Sequence, residues 1–135
     1  MTIKKSIDKF LPQLLVLVTI GIGVFLLFFV ITCTWIGFDV KSQCERAEDK
    51  YDKDCVESLV MLLDNEDESF HARNSAIWAL GQMGDSRALP ILEKYYTGDI
   101  PEREPLNKVI SQYELKKALA LARGGVNITA IFWRY

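Results

Sequence analysis

From Leu11 to Phe38 the chain runs for 28 residues without a charged side chain, and 20 of those residues are apolar. No other feature restricts the fold as tightly. At 1.5 Å rise per residue, about 20 apolar residues cross a hydrocarbon core of roughly 30 Å, so this stretch can span with some tilt. A soluble core helix of this length would need a larger protein to surround it than a 135-residue chain provides. The expectation is a single membrane helix over residues 11–38, preceded by a basic stub over residues 1–10 in which Lys4, Lys5 and Lys9 face Asp8. Trp35 and Phe38 stand where an interfacial aromatic anchor belongs. Pro12 is expected near the start of the span, where its missing N–H costs little.

An uncleaved anchor fits better than a signal peptide. The apolar run exceeds the 7–15 residues of a signal-peptide core, and no Ala-x-Ala follows it. Val30-Ile31-Thr32-Cys33 resembles a lipoprotein box, which would make Cys33 a lipidated terminus, but Thr32 stands where Gly, Ala or Ser is usual. Thr19, Gly21 and Gly23 form a small-residue patch of the kind that lets membrane helices approach closely, so they are candidate partner contacts. Orientation is nearly balanced by charge, because Lys41, Arg46, Lys50 and Lys53 follow the span and three lysines precede it. Cysteine chemistry tips it. Cys44 and Cys55 flank a polar stretch that a disulfide could close, and such a bond belongs in an oxidising compartment. The N-terminus is therefore expected in the cytoplasm and the domain on the periplasmic or extracellular side.

The last 97 residues are about 44 % apolar, with 17 acidic and 13 basic side chains. That apolar share is slightly below the ordinary soluble range, and the whole chain, at a net charge of -2, is too near neutral for nucleic acid as a partner. Residues 39–53 read as a polar linker or capping helix. Asp54 is placed to cap a helix whose Val56, Leu59, Val60 and Leu63 share one face. After the acidic run Asp64 to Glu68, a second helix carries Phe70, Ala76, Ile77, Leu80 and Met83 and stops at Gly84. A third starts at Asp85-Ser86, becomes regular near Leu89 because Pro90 lies early in it, and ends near Gly98. A fourth is expected from Leu106 to Arg123, stopped by Gly124-Gly125.

The string Leu62-Leu63-Asp64, Ala72-Arg73, Ala76, Ala79-Leu80-Gly81, Gly84-Asp85, Ala88-Leu89-Pro90 and Leu92 resembles a HEAT-like (armadillo-type) helical repeat. The variety it looks most like is the bacterial one also found in phycobiliprotein lyases. The resemblance covers residues 54 to 97 and implies an all-α fold, a transmembrane helix followed by a short α-solenoid over residues 54–125. It also implies structural roles for Arg73, Ala76, Gly81, Gly84, Asp85 and Pro90. Arg73 and Asp85 would form a pair bridging adjacent turns. The longer acidic loop and Trp78, where a smaller residue is common, depart from the pattern.

Little in the sequence suggests catalysis. His71 is the only histidine, so neither a two-histidine metal site nor paired-histidine chemistry can be built. No nucleophile triad or phosphate-binding glycine loop is present, and the acidic run lacks the spaced ligands of a calcium loop. No catalytic residue, metal or cofactor is expected. The apolar tail over residues 126–135 holds Phe132, Trp133 and Tyr135. It either folds back over the last helix or offers an exposed partner strip. The resulting expectation is a non-catalytic, membrane-anchored interaction module, an adaptor or accessory subunit contacting larger membrane proteins, the bilayer or a second copy. The alternatives are an accessory protein of a lyase-like enzyme of the HEAT-repeat group, marked by a free exposed Cys44 or Cys55, or a lipid-anchored repeat protein.

Overall fold

A computed structural model describes residues 2–134, with side chains from Phe10 onward. Its described residues form helices and connecting turns only: α1 (Thr2–Tyr51), α2 (Cys55–Asp64), α3 (Phe70–Met83), α4 (Leu89–Tyr95) and α5 (Gln112–Ala122), with short 3-10 helices at Ser86–Ala88 and Ile128–Phe132.

The first helix does two jobs. Its apolar part is long enough to cross a membrane, and its most apolar 18 residues are not buried by the rest of the chain. The hydroxyls of Thr19, Thr32 and Thr34 donate to the carbonyls of Leu15, Phe28 and Val30 at 2.8, 2.9 and 2.9 Å, so these polar groups need no water. The same helix continues through residues 39–51 without a break, where Ala47 enters the domain core and Cys44 and Tyr51 pack against it. Residues 39–53 were expected as a linker or a capping helix; residues 39–51 are helical, and they continue the apolar helix rather than forming a separate element. Because α1 also begins at Thr2, Pro12 lies well inside it rather than at its start, and one carbonyl a turn earlier loses its usual backbone donor.

The domain core is a stack in which α2 packs on both α1 and α3, and α5 packs on α3 and α4. Val56, Leu59 and Leu63 of α2 meet Ile77 and Leu80 of α3, Leu92 of α4, and Leu115 and Leu119 of α5. The stack is tight where α3 crosses α5: a Cβ on Gly81 would lie 2.8 Å from Ala118 Cα, so only glycine permits this approach. Gly84 ends α3 in the left-handed region at φ +62°, as its position after the helical pattern implied. Asp54, Ser69 and Ser111 cap α2, α3 and α5 through the N–H groups of Glu57, Ala72 and Glu114.

Two expectations about the later helices need correction. The third helix ends at Tyr95, not near Gly98, because Gln112 Nε2 takes the Tyr95 carbonyl at 3.1 Å and its Oε1 accepts from Thr97 N at 2.8 Å. The last begins at Gln112, not Leu106. Residues 106–110 spend their backbone on α3: buried Asn74 donates through Nδ2 to the carbonyls of Leu106 at 2.9 Å and Val109 at 2.8 Å, and accepts from Ser111 N at 2.8 Å. Replacing Asn74 by Ala strands a buried N–H and leaves two carbonyls to find other partners. The domain should lose about 2 kcal/mol of unfolding free energy, measured by urea denaturation, since a buried group left without its partner costs roughly 1–3 kcal/mol. An unchanged urea midpoint would show that Asn74 does not hold the 97–111 loop.

Candidate functional site

The surface best suited to bind something is a groove between α1 and α3. Two adjoining depressions, of about 490 Å³ and 240 Å³, share Asp39 and Trp78. One end is apolar, with Trp35, Ile36 and Phe38 of α1 against Trp78 of α3. The other is polar, lined by Gln43, His71, Ser75 and Glu114 beside Leu106. The groove opens where the uncharged run of α1 ends, since Asp39 is the first charged residue after Leu11. Two carboxylates, Asp39 and Glu114, line this end, and Glu114 is paired with Lys117 at 3.2 Å. The groove suits a segment with apolar side chains at one end and basic or hydrogen-bonding groups at the other. The sequence marked Trp78 only as a departure from the repeat pattern and His71 only as a surface residue. Their meeting with Asp39 depends on α1 running unbroken beside α3, which residue spacing does not reveal.

The opposite flank of α1 is covered by the C-terminal tail. The tail does fold back, but onto α1 and the end of α3 rather than over the last helix. Phe132 meets Phe29 edge to face at 5.6 Å between ring centroids. Trp133 lies directly on Gly37, where an added Cβ would come within 2.6 Å of Trp133 Cβ. Arg134 Nε donates to the Gln82 carbonyl at 3.0 Å, and Asn127 Nδ2 to Gln82 Oε1 at 2.8 Å, so both tie the tail to the C-terminus of α3. Cys33, between Phe29 and Gly37 on that face of α1, is buried. Tyr135, the remaining candidate contact of the tail, lies outside the described residues. Thr19 stays exposed on α1, and nothing lies within 4 Å of where a Cβ would stand on Gly21 or Gly23.

Cys44, late in α1, and Cys55, first in α2, bring their sulfurs to disulfide distance with Cα atoms 4.8 Å apart. Met83 Sδ lies 3.9 Å and 3.4 Å from the two sulfurs, so the pair sits against the end of α3. A free, exposed thiol at either position is thus not what the geometry presents.

The repeat-like residues have different partners from those expected. Arg73 is buried and does not reach Asp85; its Nε donates to the Leu63 carbonyl at 2.8 Å, satisfying the end of α2, and its guanidinium lies 5.2 Å from the Tyr95 ring. Asp85 instead pairs with Arg87 at 2.9 Å, and Arg87 also reaches Asp54 at 2.6 Å, which links the caps of two helices. Ala76 and Gly81 are core, and Pro90 lies in the first turn of α4. The acidic run is tied down by ion pairs: Asp64 binds Lys94 and Tyr95, and Glu68 binds Lys50 and Tyr51. Among the described residues no three His, Cys, Asp or Glu side chains converge to hold a metal. Glu104 was not anticipated. It accepts from Ser111 Oγ at 2.7 Å and from the N–H groups of Gln112 and Tyr113, an anion at the start of α5.

Residues 44–104 match the family model for HEAT repeats. Over that stretch, a little under half of its length, the chain is similar to HEAT repeats. Over 66 residues it is 35 % identical to deoxyhypusine hydroxylase of Schizosaccharomyces pombe (strain 972 / ATCC 24843), which covers 47 % of this chain and 21 % of that protein. The chain therefore spans about a fifth of that relative's length. No solved structure matches.

The carboxylates of this region make stability depend on pH. Hydrogen bonds from Arg87 hold Asp54 and Asp85 below the ordinary value of 3.8, Lys94 does the same for Asp64, and Lys50 holds Glu68 below 4.5. Burial pushes Glu104 up, but the Ser111 hydroxyl and two backbone N–H groups outweigh it and leave it lowered. A depressed carboxylate adds stability above its unfolded value and loses it as pH falls through the folded one. The thermal midpoint should therefore be flat from about pH 6 to 8 and fall steadily below about pH 4.5. A midpoint that holds or rises in that acid range would contradict the ion-pair assignment.

Proposed function

We propose that this chain is a membrane-anchored protein–protein interaction module, a non-catalytic adaptor or accessory subunit of a larger membrane complex. One observation carries this: a single unbroken helix supplies both the apolar stretch and the first core helix of the repeat. If that stretch spans the bilayer, the domain is held rigidly at the membrane surface with the α1–α3 groove opening beside it. The partner is then a membrane protein whose segment just outside the bilayer presents apolar and basic side chains to Trp78, Asp39 and Glu114. A HEAT-like repeat supports this reading, because stacked helices offer extended surfaces for binding proteins. Among the described residues no three His, Cys, Asp or Glu side chains gather to hold a metal, and the activity named for the relative is not proposed for this chain.

The Cys44–Cys55 pair supports the domain lying on the oxidising side, with the N-terminus in the cytoplasm. A lipid-anchored form is disfavoured, since cutting before Cys33 would sever the helix on which the tail and the domain are mounted.

Co-purification from native membranes in mild detergent tests the module. The wild-type chain should bring down one or a few stoichiometric membrane proteins. Reversing both charges of the groove, Asp39→Lys with Glu114→Lys, should reduce that recovery several-fold, while Glu66→Lys on the far loop should leave it unchanged. Recovery of a lone chain, or equal capture by the groove variant, would defeat the proposal. Alkylation of whole cells without reductant reports the side. Cys44 and Cys55 should escape modification unless a reductant is added, and free thiols at both positions would place the domain in a reducing compartment.

A further inference from the structure

The C-terminal 3-10 helix does not close the domain core. It buries only one small side chain, Ala130, and leaves Ile128, Ile131 and Phe132 exposed at 61 %, 60 % and 57 %. Val126 just before it is 87 % exposed. Residues 126–133 carry no charge, and the first charged side chain is Arg134, which turns back to the α3 carboxyl end. An apolar element with so little to bury inside the domain needs an apolar environment outside it.

Its position says what that environment is. Phe132 sits beside Phe29, which lies nine residues before Phe38, or about 13 Å back along α1 at 1.5 Å per residue. Trp133 covers Gly37. The tail thus lies alongside the last turns of the uncharged run, with Trp133 and Arg134 reaching on to Val40, Lys41 and Cys44 just beyond it. Beside these contacts Phe28, Ile31, Trp35 and Phe38 of α1 are themselves exposed. The tail's backbone is partly self-satisfied, with Ala130 N bonded to Asn127 O, Trp133 N to Ala130 O and Arg134 N to Ala130 O. Aromatic side chains and a cation at the far end are the pattern of an element lying at a membrane–water boundary.

We propose that Ile128–Phe132 is a membrane-interface wedge, seated in the outer acyl layer of the same bilayer that α1 crosses. Short apolar elements of this kind settle roughly 5–10 Å into the headgroup–acyl boundary. The wedge fixes the domain close against the membrane surface, because Arg134 and Asn127 bind it to the end of α3. It also leaves the α1–α3 groove, on the other flank of α1, free for a protein. The wedge rests on the reading of α1 as a spanning helix, and the test separates the two.

The full wild-type chain, reconstituted alone into phosphatidylcholine vesicles carrying a diazirine on the acyl chain, is irradiated and mapped by peptide mass spectrometry. Labelling of residues 126–133 should be comparable to that of residues 14–31 and several-fold above that of exposed Met61 on α2. If residues 14–31 are labelled and the tail is as poorly labelled as Met61, the wedge is overturned and the span stands. A second copy covering the tail gives that same result and overturns the wedge equally. If residues 14–31 are unlabelled, the spanning helix and the wedge fall together. The chain carries its natural residues throughout, so no substitution can disturb the fold.

Discussion

One helix placed in two environments governs the rest of this molecule. Over residues 11–28 α1 is exposed, over residues 29–38 one flank meets the tail, and beyond that Cys44, Ala47 and Tyr51 join the helical core. The backbone hydrogen bonds of a helix are satisfied within itself in either setting, so an exposed apolar stretch and a packed one can share one element without a joint. That continuity costs the flexibility of a linker. It also removes the need for one, because the domain's orientation follows from the helix that carries it. The Cys44–Cys55 pair and the Lys50 and Tyr51 contacts to Glu68 then pin α2 and the following loop to the last turns of the same helix.

The small domain has few residues with which to finish a solenoid, and it compensates with polar anchors. Repeat stacks normally need several units to bury their faces and polar caps to end them. Here Asn74 organises a 16-residue loop between α4 and α5 by taking two of its carbonyls and one of its N–H groups. Arg73 closes the end of α2, Arg87 joins two caps, and Glu104 sits at the start of α5. Each bonds a helix end or a loop to a side chain from elsewhere in the domain, so together they fix angles that packing among alanines and leucines alone would leave loose.

Helix existence was largely legible from the sequence, and helix extent was not. The spacing of Val56, Leu59 and Leu63, the caps at Asp54 and Gly84, and the delayed start at Leu89 are local signals, and local structure follows them. The long loop before Gln112 was missed because its conformation is set by Asn74, more than 30 positions away. The partner of Arg73 was likewise a backbone carbonyl, which has no sequence signature. The groove was invisible for the same reason: its two walls come from Trp35–Gln43 and His71–Trp78, and only the unbroken run of α1 brings them together. The tail's apolar character was plain, but nothing in its residues distinguished α1 from α5 as its support.

Hydrogen–deuterium exchange on the full chain in lipid nanodiscs tests the continuity of α1 most directly. A single helix shared by bilayer and domain should show amide protection that runs without a gap from about Leu14 through residues 37–42 to Ala47. Rapid exchange confined to residues 37–42, with protection on both sides, would mean a hinge between anchor and domain and would contradict the account.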